Sequence, residues 1–260
     1  MPVLVKNEFG NSERFSCRDR NQPVFVESSC ITTTERNGDR ELDQKRLLVL
    51  GDVHGRLELM NSVLKKANYD PTNDRLILLG DYVDRGPESQ GVVARVRELS
   101  GQGAIALKGN HEAMMVEALR TKDFQHWFMN GGEATLKSYR DCKETLLADV
   151  DFLDGLPLTH EDGEFFFAHA GVNPEKPLNG QTPYDLLWIR DEFILGYKGE
   201  KRIVAGHTPI SFVAALTGKT EIETDKPLLT KHVILMDTGA GHRGKLSLLD
   251  LTTEKLWQAK

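Results

Sequence analysis

Cysteine is scarce in this chain. Cys17, Cys30 and Cys142 are the only three, they form no CxxC pair, and their number is odd. That pattern argues against a disulfide framework or a zinc–thiolate site and leaves buried or incidental thiols. Long apolar runs are missing as well. No stretch approaches the roughly 18 residues of a membrane span. The N-terminal MPVLVKNEFGNSERF lacks the basic-then-apolar order of a signal peptide. We therefore expect a cytoplasmic protein with no membrane partner. A basic surplus is also absent. The net charge is −6, which disfavours a nucleic-acid-binding surface. No interface stripe stands out, so a monomer is expected.

What is present is an ordinary globular composition over 260 residues, enough to bury a sizeable core. Residues 1–45 are polar and of mixed charge. Composition favours a loosely ordered extension there, with a segment that packs on the core or regulates access as the alternative. The organised domain, residues 46–260, opens with LLVL (47–50), an apolar run that reads as a buried strand. Residues 56–67 follow with Leu57, Met60, Val63, Leu64 and Ala67 at helical spacing. LILL (76–79) and AIALK (104–108) repeat the strand pattern, with helical stretches at 91–99 and from 112. Residues 121–160 look like a helical insert. After them EFFFA (164–168), RIVA (202–205), HVILM (232–236) and KLSLLDL (245–251) read as strands. We infer a second sheet built from these, facing the first, with helices outside and no linker.

Five signatures punctuate this pattern: GDVHG (51–55), GDYVDRG (80–86), GNHE (109–112), HAG (169–171) and GHT (206–208). The first three begin 29 residues apart, each at the end of a predicted strand. Parallel strands joined by helices place their carboxyl ends on one edge, where open α/β sheets bind ligands. The signatures should therefore converge. Each carries Asp, Asn or His beside Gly. Gly51 and Gly55 are expected to allow unusual backbone angles, so that Asp52 and His54 point at one ion. Asp81 offers two oxygens that can bridge two metals. Asn110 adds a neutral oxygen, and His169 and His207 add imidazole nitrogens. This mixed set suits Mn²⁺, with Fe or Zn²⁺ as alternatives, better than Mg²⁺ or Ca²⁺. Two ions ~3.5–4 Å apart can clamp a phosphate and hold a hydroxide for in-line attack.

Other residues address the leaving group and the phosphate charge. His111 follows Asn110 directly and is left free to act as general acid. Asp84 is its natural orienting partner. Arg85 presents a donor fork suited to phosphate, and Arg190 is the best candidate for a second grip. Asp237 is read as a turn brace. Trp127 and Trp188 are read as core anchors, and His126, His160, His232 and His242 as ordinary surface or half-buried residues.

The set resembles the phosphoprotein phosphatase family of metallophosphoesterases over residues 46–245. It is closest to the bacterial and phage branch, marked by WFMNGG (127–132), WIR (188–190), GHTP (206–209) and MDTGA (236–240). The resemblance implies a calcineurin-like α/β fold, two mixed β-sheets packed as a sandwich flanked by helices. It implies that Asp52, His54 and Asp81 hold one metal, and Asp81, Asn110, His169 and His207 the other. It implies that His111 with Asp84 protonates the leaving group and that Arg85 and Arg190 hold phosphate. Members of the family remove phosphate from serine and threonine, and the bacterial branch often from tyrosine and small esters, usually with added Mn²⁺. The main competitor is a symmetrical dinucleoside polyphosphate hydrolase, whose motifs commonly read GDxVARG and GNHD. Asp84 and Glu112 stand in those places here and favour the phosphatase. A nuclease on the same core typically lacks the Asp-Arg-Gly tripeptide. A metal-dead scaffold should have lost ligands, and none of the expected positions is altered.

Overall fold

The computed structural model describes residues 45–260, so the polar extension and Cys17 and Cys30 lie outside the described residues. The first sheet grows from β1 (Arg46–Leu50), β2 (Asp74–Leu78) and β3 (Ile105–Ala106), which pair in parallel. The connections are α1 (Leu57–Lys66) and α2 (Ser89–Gly101), and α3 (Asn110–Thr121) follows β3. Period-two alternation sorts these strands' side chains onto two buried faces. Leu48, Leu50, Leu76 and Leu78 meet Met60, Val63, Val92 and Val96 of the helices. Leu47, Val49, Ile77 and Leu79 point the other way. Burial on both faces explains why the strands read as continuous apolar runs.

The helical insert consists of α4 (Gln125–Met129), α5 (Gly132–Ser138) and α6 (Lys143–Asp154). The second sheet then follows, in the order β4 (Thr159–Asp162), β5 (Phe165–Ala168), β6 (Arg202–Ala205), β8 (Val233–Leu235) and β7 (Leu228–Leu229). Its centre, β5-β6-β8, is parallel and its edges are antiparallel. Between β5 and β8 run α7 (Pro183–Trp188), α8 (Asp191–Gly196) and α9 (Ile210–Thr217). Thr182 and Asp185 cap α7 reciprocally with Pro183 at its first position, a sequence-encoded helix start.

One expected strand belongs elsewhere. β9 (Leu246–Asp250), read as part of the second sheet, pairs antiparallel with β1, and β10 (Leu256–Ala259) closes that edge. The chain thus returns to the first sheet after finishing the second. The two sheets face each other across Val49, Ile77, Leu79 and Leu107 on one side and Phe165, Phe167, Val204, Ile234 and Met236 on the other. Each sheet contributes three parallel strands. The six segments that follow them carry Asp52, Asp81, Asn110, His169, His207 and Asp237.

Candidate active site

The first two signatures are laced together by the backbone. Val53 and His54 donate their N–H groups to the carbonyl of Asp81 at 3.0 and 2.8 Å, and Gly55 donates to that of Tyr82 at 2.8 Å. The path requires a left-handed backbone at Gly55 (φ +61°) and also at His54 (φ +48°). Gly51 serves differently from the sequence expectation. A Cβ there would sit 2.6 Å from the carbonyl oxygen of Met236, so its role is close approach between the segments that follow β1 and β8. Gly206 is similar, since a Cβ would fall on Asp52 Oδ1. Among the described residues nine non-glycines have positive φ, and five of them are His54, Asp81, Asp84, Arg85 and His207. Such concentration is characteristic of functional sites.

Asp81 stands at the centre, 2 % exposed. Its Oδ2 lies 3.5 Å from His54 Nε2, and its Oδ1 lies 3.3 Å from His169 Nε2. His169 donates from Nδ1 to the carbonyl of Leu79 at 2.8 Å, so its Nε2 carries a lone pair. Burial pushes the His169 imidazole down to about 3, which keeps it neutral. Two acceptors, His169 Nε2 and Asp81 Oδ1, therefore face each other, an arrangement that a shared cation reconciles. Asn110 Oδ1 approaches both His169 Nε2 and His207 Nδ1 at 2.9 Å. His54 donates from Nδ1 to the carbonyl of Val83 at 3.0 Å, which likewise leaves Nε2 as a donor atom to a metal. Burial lowers the pKa values of His54 and His207 well below the usual imidazole range.

Asp52 accepts the N–H of His207 at 2.9 Å through Oδ2, while its buried Oδ1 has no protein partner. Asp237 is also buried; it braces the turn through Gly239 N–H at 2.9 Å, and it adds a second charge near Asp52. Burial, reinforced by the charge of Asp237 at Asp52 and by that of Asp52 at Asp81, raises the pKa values of both well above the carboxylate range. Buried carboxylates beside neutral imidazoles make a donor set that fits divalent cations, with Asp81 common to both halves. The ligand atoms of Asp81, His169 and His207 lie within 4.8 Å of one another, and so do those of His54, Asp81 and His111. His111, rather than Asp52, completes the second group.

His111 is also held by a separate network. Its Nδ1 donates to Asp84 Oδ2 at 2.6 Å. Asp84 is fully buried and accepts the indole N–H of Trp127 at 2.9 Å and the hydroxyl of Thr135 at 2.7 Å. Burial pushes the Asp84 carboxyl up to about 7, against the lowering pull of those donors. Trp127 is a core anchor as expected from the sequence, with a polar task that the sequence did not reveal. Thr135 lies 51 residues from Asp84, and no local signal announces it.

Arg85 spans two imidazoles, with Nη1 2.7 Å from His54 Nε2 and Nη2 3.0 Å from His111 Nε2. Its own N–H donates to the carbonyl of Gly131 at 3.2 Å, tying the Asn-Gly-Gly turn of the insert to the site. Arg190 lies beside His207. It donates from Nη1 to the His207 carbonyl and to Thr208 Oγ1, both at 3.2 Å, and its guanidinium lies 5.8 Å over the ring of Phe212. Half-buried Trp188 meets the His207 ring edge-on at 6.3 Å and stacks on exposed His126 at 5.8 Å.

The profile of the family described as "Calcineurin-like phosphoesterase" matches residues 45–235. Serine/threonine-protein phosphatase 2 of Escherichia coli (strain K12) is 29 % identical over 209 residues, covering 78 % of this chain and 91 % of that protein. A symmetrical bis(5'-nucleosyl)-tetraphosphatase of Dechloromonas aromatica (strain RCB) is 33 % identical over 131 residues, covering 48 % of this chain and 44 % of that protein. The fold is similar to the solved structure of a cold-active protein tyrosine phosphatase, with a TM-score of 0.57 and 17 % identity over 82 % of this chain and 78 % of that one. No helix among the described residues is long and apolar enough to cross a membrane. The profile match covers well over half of the chain, and the chain belongs to the calcineurin-like phosphoesterase family of metal-dependent enzymes.

Proposed function

We propose that the protein is a protein phosphatase that hydrolyses phosphoserine and phosphothreonine, with phosphotyrosine as a further substrate. Asp52, His54 and Asp81 would hold one divalent ion, and Asp81, Asn110, His169 and His207 the other. Mn²⁺ is the first choice for this mixed nitrogen and oxygen set, with Fe or Zn²⁺ as alternatives. Bound there, the ions supply Lewis acidity and water activation. The chain's own residues do the rest. Arg85 and Arg190 offer guanidinium forks to the phosphate oxygens. His111 would have to take up a proton at Nε2 before handing it to the departing alkoxide, and Asp84, accepting its Nδ1–H, orients the ring and stabilises the imidazolium that this requires.

The observation that carries the reading is the 2.6 Å contact of His111 Nδ1 with a fully buried Asp84, itself fixed by Trp127 and Thr135. A poor leaving group such as a serine alkoxide needs that proton; a nucleotide polyphosphate, a much better leaving group, needs it less. The longer match to the E. coli phosphatase supports the same side. The higher identity to the tetraphosphatase over a shorter stretch favours the second reading, hydrolysis of dinucleoside tetraphosphates. The test is phosphate release by the Mn²⁺-loaded protein from phosphoserine, phosphothreonine and phosphotyrosine peptides, beside cleavage of diadenosine tetraphosphate. Faster turnover of peptides, abolished in Asp81→Asn, is expected. Faster cleavage of the dinucleotide would transfer the protein to the second reading.

A further inference from the structure

Glu112 is fully buried, has no cationic partner among the described residues, and its hydrogen bonds go to backbone N–H groups rather than to the side chains of the proposed ligands. Its carboxylate is nevertheless saturated with donors. Oε2 accepts the backbone N–H of Gly109 and of Asp81, each at 2.8 Å. Oε1 accepts those of Tyr82 at 2.7 Å and Val83 at 3.3 Å. Three consecutive amides of one loop and one amide of another thus converge on a single side chain in the first turn of α3.

Those two loops carry five groups of the site, Arg85 among them. The 81–85 loop brings Asp81 and Asp84, and the start of α3 brings Asn110 and His111. The 81–85 loop also contains left-handed Asp81 (φ +54°), Asp84 (φ +70°) and Arg85 (φ +66°), a path that an unbraced chain would leave. We infer that Glu112 is the positioning residue of this centre. It fixes the distance between Asp81 and Asn110 as metal ligands, and between Asp84 and His111 as a proton-handling pair, through one shared carboxylate. The inference rests on the metal reading above. It extends that reading to a residue that neither binds an ion nor meets substrate. Four N–H bonds to one buried side chain explain why a carboxylate, with two acceptor oxygens, is needed. An amide offers a single acceptor oxygen, and its NH₂ would be aimed at further N–H groups. Aspartate keeps the charge but is one methylene shorter, so it can keep all four donors only if the two loops draw closer together.

The test uses Glu112→Gln and Glu112→Asp in the full chain. Mn²⁺ affinity is measured by calorimetry, and kcat is compared between phenyl and p-nitrophenyl phosphate. Both variants are expected to bind Mn²⁺ at least about tenfold more weakly, as supporting partners of metal ligands do. Both should lose more rate on phenyl than on nitrophenyl phosphate. Either variant, folded by circular dichroism but with unchanged Mn²⁺ affinity and an unchanged ratio between the two esters, would overturn the inference. Should neither variant fold, hydrogen exchange on the unmodified protein decides. The amides of residues 81, 82, 83 and 109 are expected to be as protected as those of β1 and β2, and exchange at loop rates would refute the bracing role. Asp81→Asn serves as the control. If it retains full Mn²⁺ binding, the metal reading fails, which is a different result from a failure of Glu112.

Discussion

Replacing Trp127 with phenylalanine isolates the support behind the proposed general acid. The ring stays in the core, but the indole N–H that reaches both oxygens of Asp84 at 2.9 Å is removed. A hydrogen bond to a charged group is worth about 1.5–3 kcal/mol. For a domain of this size each kcal/mol moves Tm by about 2–4 °C, so a fall of roughly 3–12 °C is expected. Catalysis should change selectively. The Asp84 carboxyl already stands at about 7 through burial, and the lost donor favoured its charged form. Its pKa therefore rises, and more of it is protonated and unable to accept from His111 at pH 7. The acid limb of the kcat profile should move to higher pH. With about 1.4 kcal/mol of orientation lost, kcat on phenyl phosphate should fall roughly tenfold. On p-nitrophenyl phosphate, which needs little protonation, the fall should stay within about threefold. The assay is steady-state kinetics of both esters across pH 5–9 with the Mn²⁺-loaded variant. An equal loss on both substrates with an unmoved acid limb would refute the assignment of Trp127 and Asp84 to this task.

Further outcomes follow from the same geometry. His111→Asn should retain both metals by elemental analysis and lose about 10²–10⁴ in kcat on poor leaving groups; retained activity on phosphoserine would remove His111 from the mechanism. Chelation should destabilise the fold, because Asp52, Asp81 and Asp237 are buried together. Each ion at about 100 times its Kd contributes about 2.7 kcal/mol, so removing one should lower Tm by roughly 5–10 °C and removing both by roughly 10–20 °C. A melting curve insensitive to chelator would count against the centre. Gly206→Ala places a methyl on Asp52 Oδ1, and should reduce Mn²⁺ stoichiometry measured by calorimetry while Gly101→Ala, with open space around it, should not.

Much of this arrangement was legible before any coordinates. The strand–helix rhythm of residues 47–119 is written in apolar spacing, and β1, β2, α1 and α2 lie within a few residues of their expected places. The two-sheet architecture with flanking helices also came through. Long-range pairing did not. β9 has the same apolar pattern as its neighbours in sequence, and nothing local says that it pairs with β1, some 200 residues earlier. β4, β7 and β10 were also missed, since THED and LL are too short or too polar to show a strand period. At the site, Gly-flanked Asp and His residues announced themselves by repetition. Glu112 was noticed only as a letter separating two motifs; its four amide bonds depend on how two loops meet. Thr135 and the polar end of Trp127 were invisible because their partner is distant in sequence.

The five left-handed residues at the site have a consequence for anyone seeking a hardier enzyme. Each such non-glycine conformation costs about 1–2 kcal/mol, so together they approach the net stability of a typical domain. Glycine at His54, Asp81, Asp84, Arg85 or His207 would relieve the backbone and abolish the side chain that chemistry requires. The positions where stabilising substitutions are easiest to find are thus closed to them. Improvement has to come from elsewhere, in the inter-sheet core or the exposed helix faces, and ligand-free chain should be the form that cells degrade first.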